Sequence, residues 1–242
     1  MVRGDTPAVG WPTPGVVPER GAGRMPGVPY AAWVAAALTA VLAVVDWRAV
    51  ARDDRRTERW AKPAVVGGLI VVALLVGAAG SPSGRWVLLA LALGLLGDVL
   101  LVPDVDRFVG GLVAFLLGHL AWVAACVTVG LERPGLAWVG VAVLGFALVA
   151  GRRILPSAHR DGGAALAGAV AAYMLVIGVM SVAGWATGRL LAGIGATLFV
   201  VSDTVLAEAR FVTGRRWSRP VVMVTYHLAQ ALLLAGLLAG PR

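Results

Sequence analysis

The stretch "LGLLGDVLLVP", Leu93 to Pro103, sets one carboxylic acid, Asp98, in a run otherwise apolar enough to dissolve in lipid. About a hundred residues later "FVVSDTVLAEARF", Phe199 to Phe211, does the same with Asp203. The surrounding chain has the same character. Of its 242 residues 59% are hydrophobic and 14% charged, and the mean hydropathy is +0.85, far outside the range of a soluble domain. The apolar blocks run about 17 to 24 residues, the length that crosses roughly 30 Å of hydrocarbon as helix. They lack the period-two alternation of a barrel strand. Eight blocks are legible, at about 30–48, 63–80, 85–103, 107–130, 135–151, 163–182, 188–209 and 220–239. The expected fold is all-α: a polytopic membrane bundle of about eight transmembrane helices forming one domain over residues 30–240. Residues 1–29, "MVRGDTPAVGWPTPGVVPERGAGRMPGVP", are rich in Pro and Gly without an apolar run, and read as a disordered tail rather than a signal peptide.

The formal charge is +8, but its distribution speaks for topology rather than nucleic acid. Of 21 Lys and Arg, 14 fall in or beside the loops after the odd-numbered blocks. By the positive-inside rule those loops face the cytoplasm and both termini lie outside. The single cysteine, Cys126, lies within a span and has no internal partner for a disulfide. No zinc-type Cys/His spacing, glycine-rich phosphate loop or GxSxG elbow is present, so the sequence calls for neither a metal nor a cofactor.

Ionisable groups inside a span cost a few kcal/mol each at mid-membrane and are functional candidates by default. Here they are Asp98, His119, Asp203 and His227, while Asp46 and Glu208 lie close enough to block ends to reach the interface. Asp98 and Asp203 sit on blocks that run in the same direction, on the order of 10 Å below the cytoplasmic surface. The last block brings Tyr226, His227 and Gln230 to a similar depth. These groups can therefore meet in one cavity in the cytoplasmic half of the bundle. Phe108, Gly111, Phe115, His119 and Trp122 share one helical stripe, and Met223, Tyr226 and Gln230 another; plain helix–helix packing with polar glue is the competing reading. The aspartates fit it poorly, because a neutral side chain would bridge helices at lower cost and neither has a Lys or Arg on its own span that could neutralise it at the same depth. Low dielectric disfavours an ionised carboxyl, and two close together disfavour double ionisation, which is the condition for a general acid near neutral pH.

An internal duplication is also legible. "GDVLLVPDVDRF" resembles "SDTVLAEARF", and "GHLAW" (118–122) resembles "YHLAQ" (226–230). The offset of four blocks preserves direction, giving a 4+4 parallel repeat with Asp98 and Asp203 in equivalent places.

Taken in order, Lys62-Pro63, Gly97-Asp98, Phe108, Gly111, Phe115, Gly118-His119, Phe199, Ser202-Asp203, Phe211, Tyr226 and Ala229-Gln230 resemble the YhhN family, the bacterial relatives of lysoplasmalogenase. The resemblance spans about residues 30 to 240. Trp122 stands where the family usually has Tyr, and His227 where another aromatic is common. The resemblance implies an eight-helix hydrolase of a bacterial-type inner membrane that cleaves the vinyl ether of a lysophospholipid without a metal. Its catalytic aspartates would be Asp98 and Asp203.

The chemistry fits those residues. A vinyl ether hydrolyses by protonation of the carbon beta to the oxygen, and water then captures the oxocarbenium ion. One acid must hold its proton and one carboxylate must steady positive charge, the two-carboxylate logic of glycosidases. Gly97, Val99 and Leu100 offer Asp98 no side-chain hydrogen bond, whereas Ser202 and Thr204 flank Asp203; this favours Asp98 as the acid. His119, Tyr226 and Gln230 would orient water or the glycerol hydroxyl, and Lys62, Arg107 and Arg210 could meet the phosphate. Two readings from other classes remain: a proton- or cation-coupled transporter using the same aspartates, and a metallohydrolase using Asp98, Asp203, His119 and His227.

Overall fold

The computed structural model describes residues 28–101 and 107–238. The expected Pro/Gly-rich tail lies, but for its last two residues, outside them, as does Pro103. Every regular element among the described residues is helical. The long ones are α1 (Tyr30–Ala51), α2 (Arg55–Leu75), α3 (Pro82–Leu100), α4 (Phe108–Val129), α5 (Ala137–Ala186), α6 (Leu190–Phe211) and α7 (Ser218–Leu238). Six of the seven are long and apolar enough to cross a membrane; α2 is the exception.

The first turns of α2 are charged, with Arg55, Arg56, Glu58, Arg59 and Lys62. The helix starts well before its apolar block because Asp54 caps it, accepting the Thr57 amide at 3.2 Å. Hydrogen bonding from the Thr57 side chain, and next from its amide, holds the Asp54 carboxyl below its ordinary value. Lys62 and Pro63, expected to open the helix, therefore lie two turns inside it. Pro63 removes one ladder bond but does not stop the helix.

The sequence reads 135–151 and 163–182 as separate blocks, whereas the structure joins them in the 50-residue α5. A straight helix of that length would measure about 75 Å, more than twice the hydrocarbon thickness. It is not straight. Gly162 and Gly163 leave helical geometry, and Gly163 takes φ +69° with ψ −165°, a conformation essentially confined to glycine that costs a side chain about 1–3 kcal/mol. The two limbs fold back on each other: a Cβ built on Gly140 would stand 2.4 Å from the Cα of Val182, and one on Gly178 would meet the Leu144 side chain. The Arg133 amide also donates to the Ala186 carbonyl at 2.9 Å, closing the start of the hairpin on its end.

Helix α7 is the most enclosed of the spanning helices and touches α1, α2, α3, α4 and α6. Its buried face carries Met223, Tyr226, His227 and Gln230 into the middle of the bundle. Trp122, Leu91, Ile154, Met180 and Leu233 are the largest apolar side chains fully enclosed around it. Outside, Trp33, Trp138, Phe146 and Leu190 stand exposed, an apolar surface suited to lipid rather than water.

Candidate active site

Helix α3 brings Asp98 to the centre with no exposed surface. The Tyr226 hydroxyl of α7 donates to its Oδ2 at 2.8 Å, and the Lys62 ammonium of α2 stands 3.3 Å from its Oδ1. Two expectations change as a result. Lys62 is buried against an aspartate instead of waiting at the surface for a phosphate. Asp98, apparently bare from its own helix, has a hydroxyl and an ammonium beside it that come from neighbouring helices its local sequence does not reveal.

Helix α6 brings Asp203. The Tyr173 hydroxyl of α5 donates to its Oδ2, and His119 Nε2 of α4 lies 3.7 Å from the same oxygen. His119 Nδ1 is 2.6 Å from the Phe115 carbonyl, which can only accept, so Nδ1 carries the proton and Nε2 of the neutral ring can take one. Ser202, next to Asp203 in the chain, donates its hydroxyl to the Val222 carbonyl at 3.2 Å and ties α6 to α7. Phe199 packs edge-on to both His119 and Tyr226, with centroids at 4.6 and 5.5 Å, and Phe115 packs edge-on to Tyr226 at 5.8 Å. This aromatic collar keeps the neighbourhood of both acids at low dielectric.

Both carboxyls line one cavity of about 260 Å³, with Lys62, Tyr173, Ser202 and Tyr226. Arg210 and Arg219, both exposed, belong to the same lining and mark its outer end. A narrower cleft of about 60 Å³ adjoins it, walled by apolar residues such as Leu112, Ile154, Val170 and Met174. The two spaces share Phe108, Phe115, Tyr173, Asp203 and Arg210. A chamber that holds the charged side chains thus meets a hydrocarbon-lined one at Asp203. A groove of about 540 Å³ between α1, α2 and α7 is mostly apolar and holds neither acid.

Other expected residues fall elsewhere. Gln230 is buried one turn beyond Tyr226, beside Gly94, and does not line the cavity. Arg107 is not in the lining either. His227 faces α1, where its Nδ1 accepts the Trp47 indole N–H at 3.1 Å. The proposed metal set of Asp98, Asp203, His119 and His227 is therefore not gathered, and among the described residues no group of three or more His, Cys, Asp or Glu could hold a metal ion. Glu208 does reach outward and pairs with Arg153 at 3.1 Å. Asp46 does not: it is fully buried, 4.0 Å from His227, and neither of its oxygens has a hydrogen-bond partner.

Two side chains were missed in the sequence. The fading of its apolar block near residue 48 puts Asp46 close to the interface, but α1 continues to Ala51 and carries it a turn deeper. Tyr173 leaves a clearer trace, because the chain has three tyrosines, of which Tyr30 stands at the very edge of its apolar block and Tyr173 and Tyr226 lie within theirs. Those two are the ones that hold the two aspartates.

A bundle of apolar helices around two enclosed, differently partnered carboxyls defines a multi-pass membrane protein with a candidate acid–base centre. The chain belongs to the YhhN family, whose model matches residues 57–237. It is 30% identical over 165 residues to lysoplasmalogenase TMEM86A of Bos taurus, covering 63% of this chain and 65% of that one. It is 35% identical over 164 residues to human lysoplasmalogenase TMEM86B, covering 66% and 68%, and 33% identical over 174 residues to the Sus scrofa TMEM86B, covering 72% of each. The match thus spans a little under two thirds of TMEM86A. No solved structure matches the chain. Helix α1, with Asp46, precedes the family match.

Proposed function

We propose that the protein is a membrane-embedded hydrolase of the vinyl-ether bond of lysoplasmalogens or related ether lysolipids, releasing a fatty aldehyde and glycerophospho-ethanolamine or -choline. The observation that carries this reading is the meeting of two unlike carboxyls in one cavity that adjoins an apolar cleft. The names of the relatives supply the substrate class.

In this reading the roles differ from the expectation drawn along the sequence. Asp98 is the carboxylate, because the Lys62 ammonium beside it favours the ionised form. Asp203, which faces a neutral-capable imidazole and a tyrosine hydroxyl, is the acid. Asp203 protonates the carbon beta to the ether oxygen, and Asp98 steadies the oxocarbenium ion that results. Water adds to that ion and returns its proton to Asp203, with His119 Nε2 placed to receive or pass it. The hemiacetal then collapses to aldehyde and alcohol, so one water is consumed and no net proton. Tyr226 and Tyr173 fix the two carboxyls in place, and the aromatic collar keeps competing water out.

The substrate has one hydrocarbon chain and one polar end. The chain would run out through the apolar cleft toward the surrounding hydrocarbon, the vinyl ether would lie at Asp203 where the two spaces meet, and the head would point to the arginine-lined end.

The same reading takes the two limbs of α5 as separate spans, which gives eight crossings in a bacterial inner membrane with both termini outside. The loop charges support this orientation. A 4+4 repeat is supported by the cross-over of partners, since the acid of α3 meets α7 and the acid of α6 meets α4.

The test is a panel of purified lipids with one head group and chain length: vinyl ether, saturated alkyl ether and acyl ester, followed by mass spectrometry of the products. Protonation at carbon requires the double bond, so aldehyde forms from the vinyl ether and the alkyl ether stays intact. Release of no product from any of them would contradict a hydrolase and favour the proton-coupled transporter.

A further inference from the structure

We infer that Arg210 is the phosphate-binding residue of a head-group subsite at the outer end of the cavity, so that the protein selects single-chain lipids carrying a phosphate. The inference rests on the lipid-hydrolase reading for its ligand class and deepens it.

Three cations line the cavity: Lys62, Arg210 and Arg219. Lys62 is committed to Asp98 at 3.3 Å. Arg219 is committed to two carboxylates, Asp53 at 2.5 Å and Glu58 at 2.6 Å. Arg210 pairs with no acid among the described residues. Its guanidinium instead lies over Phe108 at 5.2 Å and Phe211 at 5.5 Å, and those rings pack edge to face with centroids 5.9 Å apart. Two aromatic faces orient a guanidinium without using its N–H donors, which stay available for a planar, two-pronged bond to phosphate oxygens.

The position matters as much as the free charge. Arg210 lines both the chamber and the apolar cleft, one turn beyond Leu206 and two turns along α6 from Asp203. Seven residues of helix span about 10 Å; the ether oxygen and phosphorus of a glycerophosphate are five bonds apart and so closer than this, and the long arginine side chain, tilted toward the helix N-terminus, covers the difference. A lipid with its chain in the cleft and its reactive bond at Asp203 would bring a phosphate to Arg210. Neutral single-chain lipids would lack that anchor.

The test compares binding of lysophosphatidylethanolamine and of a monoacylglycerol with the same chain to the wild type, Arg210→Gln and Arg210→Lys in detergent. Neither ligand has a vinyl ether, so the readout is independent of turnover. The wild type should prefer the phospholipid by about tenfold or more, the scale of a charged hydrogen-bonded pair. Arg210→Gln should lose that preference while keeping its affinity for the monoacylglycerol, and Arg210→Lys should keep part of it. An equal preference in wild type and Arg210→Gln, no preference in the wild type, or an equal loss for both lipids would each overturn the subsite. Phosphate selectivity that depends on Arg210 without any vinyl-ether cleavage would keep the subsite and sink the reaction.

Discussion

Lys62 decides how the two aspartates divide their work. Taking a charged pair out of water is costly, and removing one partner strands the other. Lys62→Met should leave Asp98 without its counter-charge, so that it gives up the carboxylate form the reaction needs. Cleavage should fall on the order of a hundredfold, the scale seen when one group stabilising transition-state charge is deleted. Lys62→Arg should recover part of it, since the charge returns with a different geometry. Kinetics on a lysoplasmalogen in detergent, with near-normal turnover of Lys62→Met as the contrary result, checks this. The aspartates themselves were legible in the sequence because an acid in lipid-soluble helix is conspicuous. Their partners were not. Lys62 looked like an interfacial cation until the Asp54 cap set α2 two turns earlier, and Tyr173 and Tyr226 come from helices whose facing cannot be read from one chain's periodicity when lipid and core are both apolar.

Apolar block length shows where helices are, but a tight packing contact needs its own evidence. Gly140 shows why: nothing in "AWVGVAV" marks it apart from Gly145, five residues on. A Cβ on Gly140 would overlap Val182, whereas one on Gly145 would meet nothing within 4 Å. Gly140→Ala should therefore destabilise the protein by about 1–3 kcal/mol through overpacking between the limbs of α5. Gly145→Ala should gain up to about 1 kcal/mol from helix propensity. Thermal unfolding of both variants in one detergent measures the difference; equal melting temperatures would mean that the limbs do not pack as described. The turn that separates the limbs was legible as the polar gap "HRDGG" between two apolar blocks. Its sharpness was not, since it depends on the backbone at Gly162 and Gly163.

For the whole molecule, orientation and chemistry are joined, because the acids lie toward the side that the arginine-rich loops face. The lone native cysteine, Cys126, is buried, so a Cys126→Ala background allows clean labelling of single introduced cysteines. A cysteine at Asp161 should react with a membrane-impermeant thiol reagent only after the cells are opened, and one at Thr213 likewise. A cysteine at Glu132 should react in intact cells. The opposite pattern would invert the topology, and labelling of Asp161 and Glu132 from one side would end the eight-span reading. Hydropathy and loop charge carried the helical class and the expected orientation, while the convergence of α2, α3, α4, α5, α6 and α7 on one cavity needed three dimensions. The central claim is that two carboxyls from α3 and α6 together break a vinyl ether. Aldehyde release from a lysoplasmalogen by purified wild type, Asp98→Asn and Asp203→Asn tests it most directly. Release by the wild type and none above background by either variant, with both variants inserted and folded, is the predicted result. Near-normal turnover by either variant would contradict it.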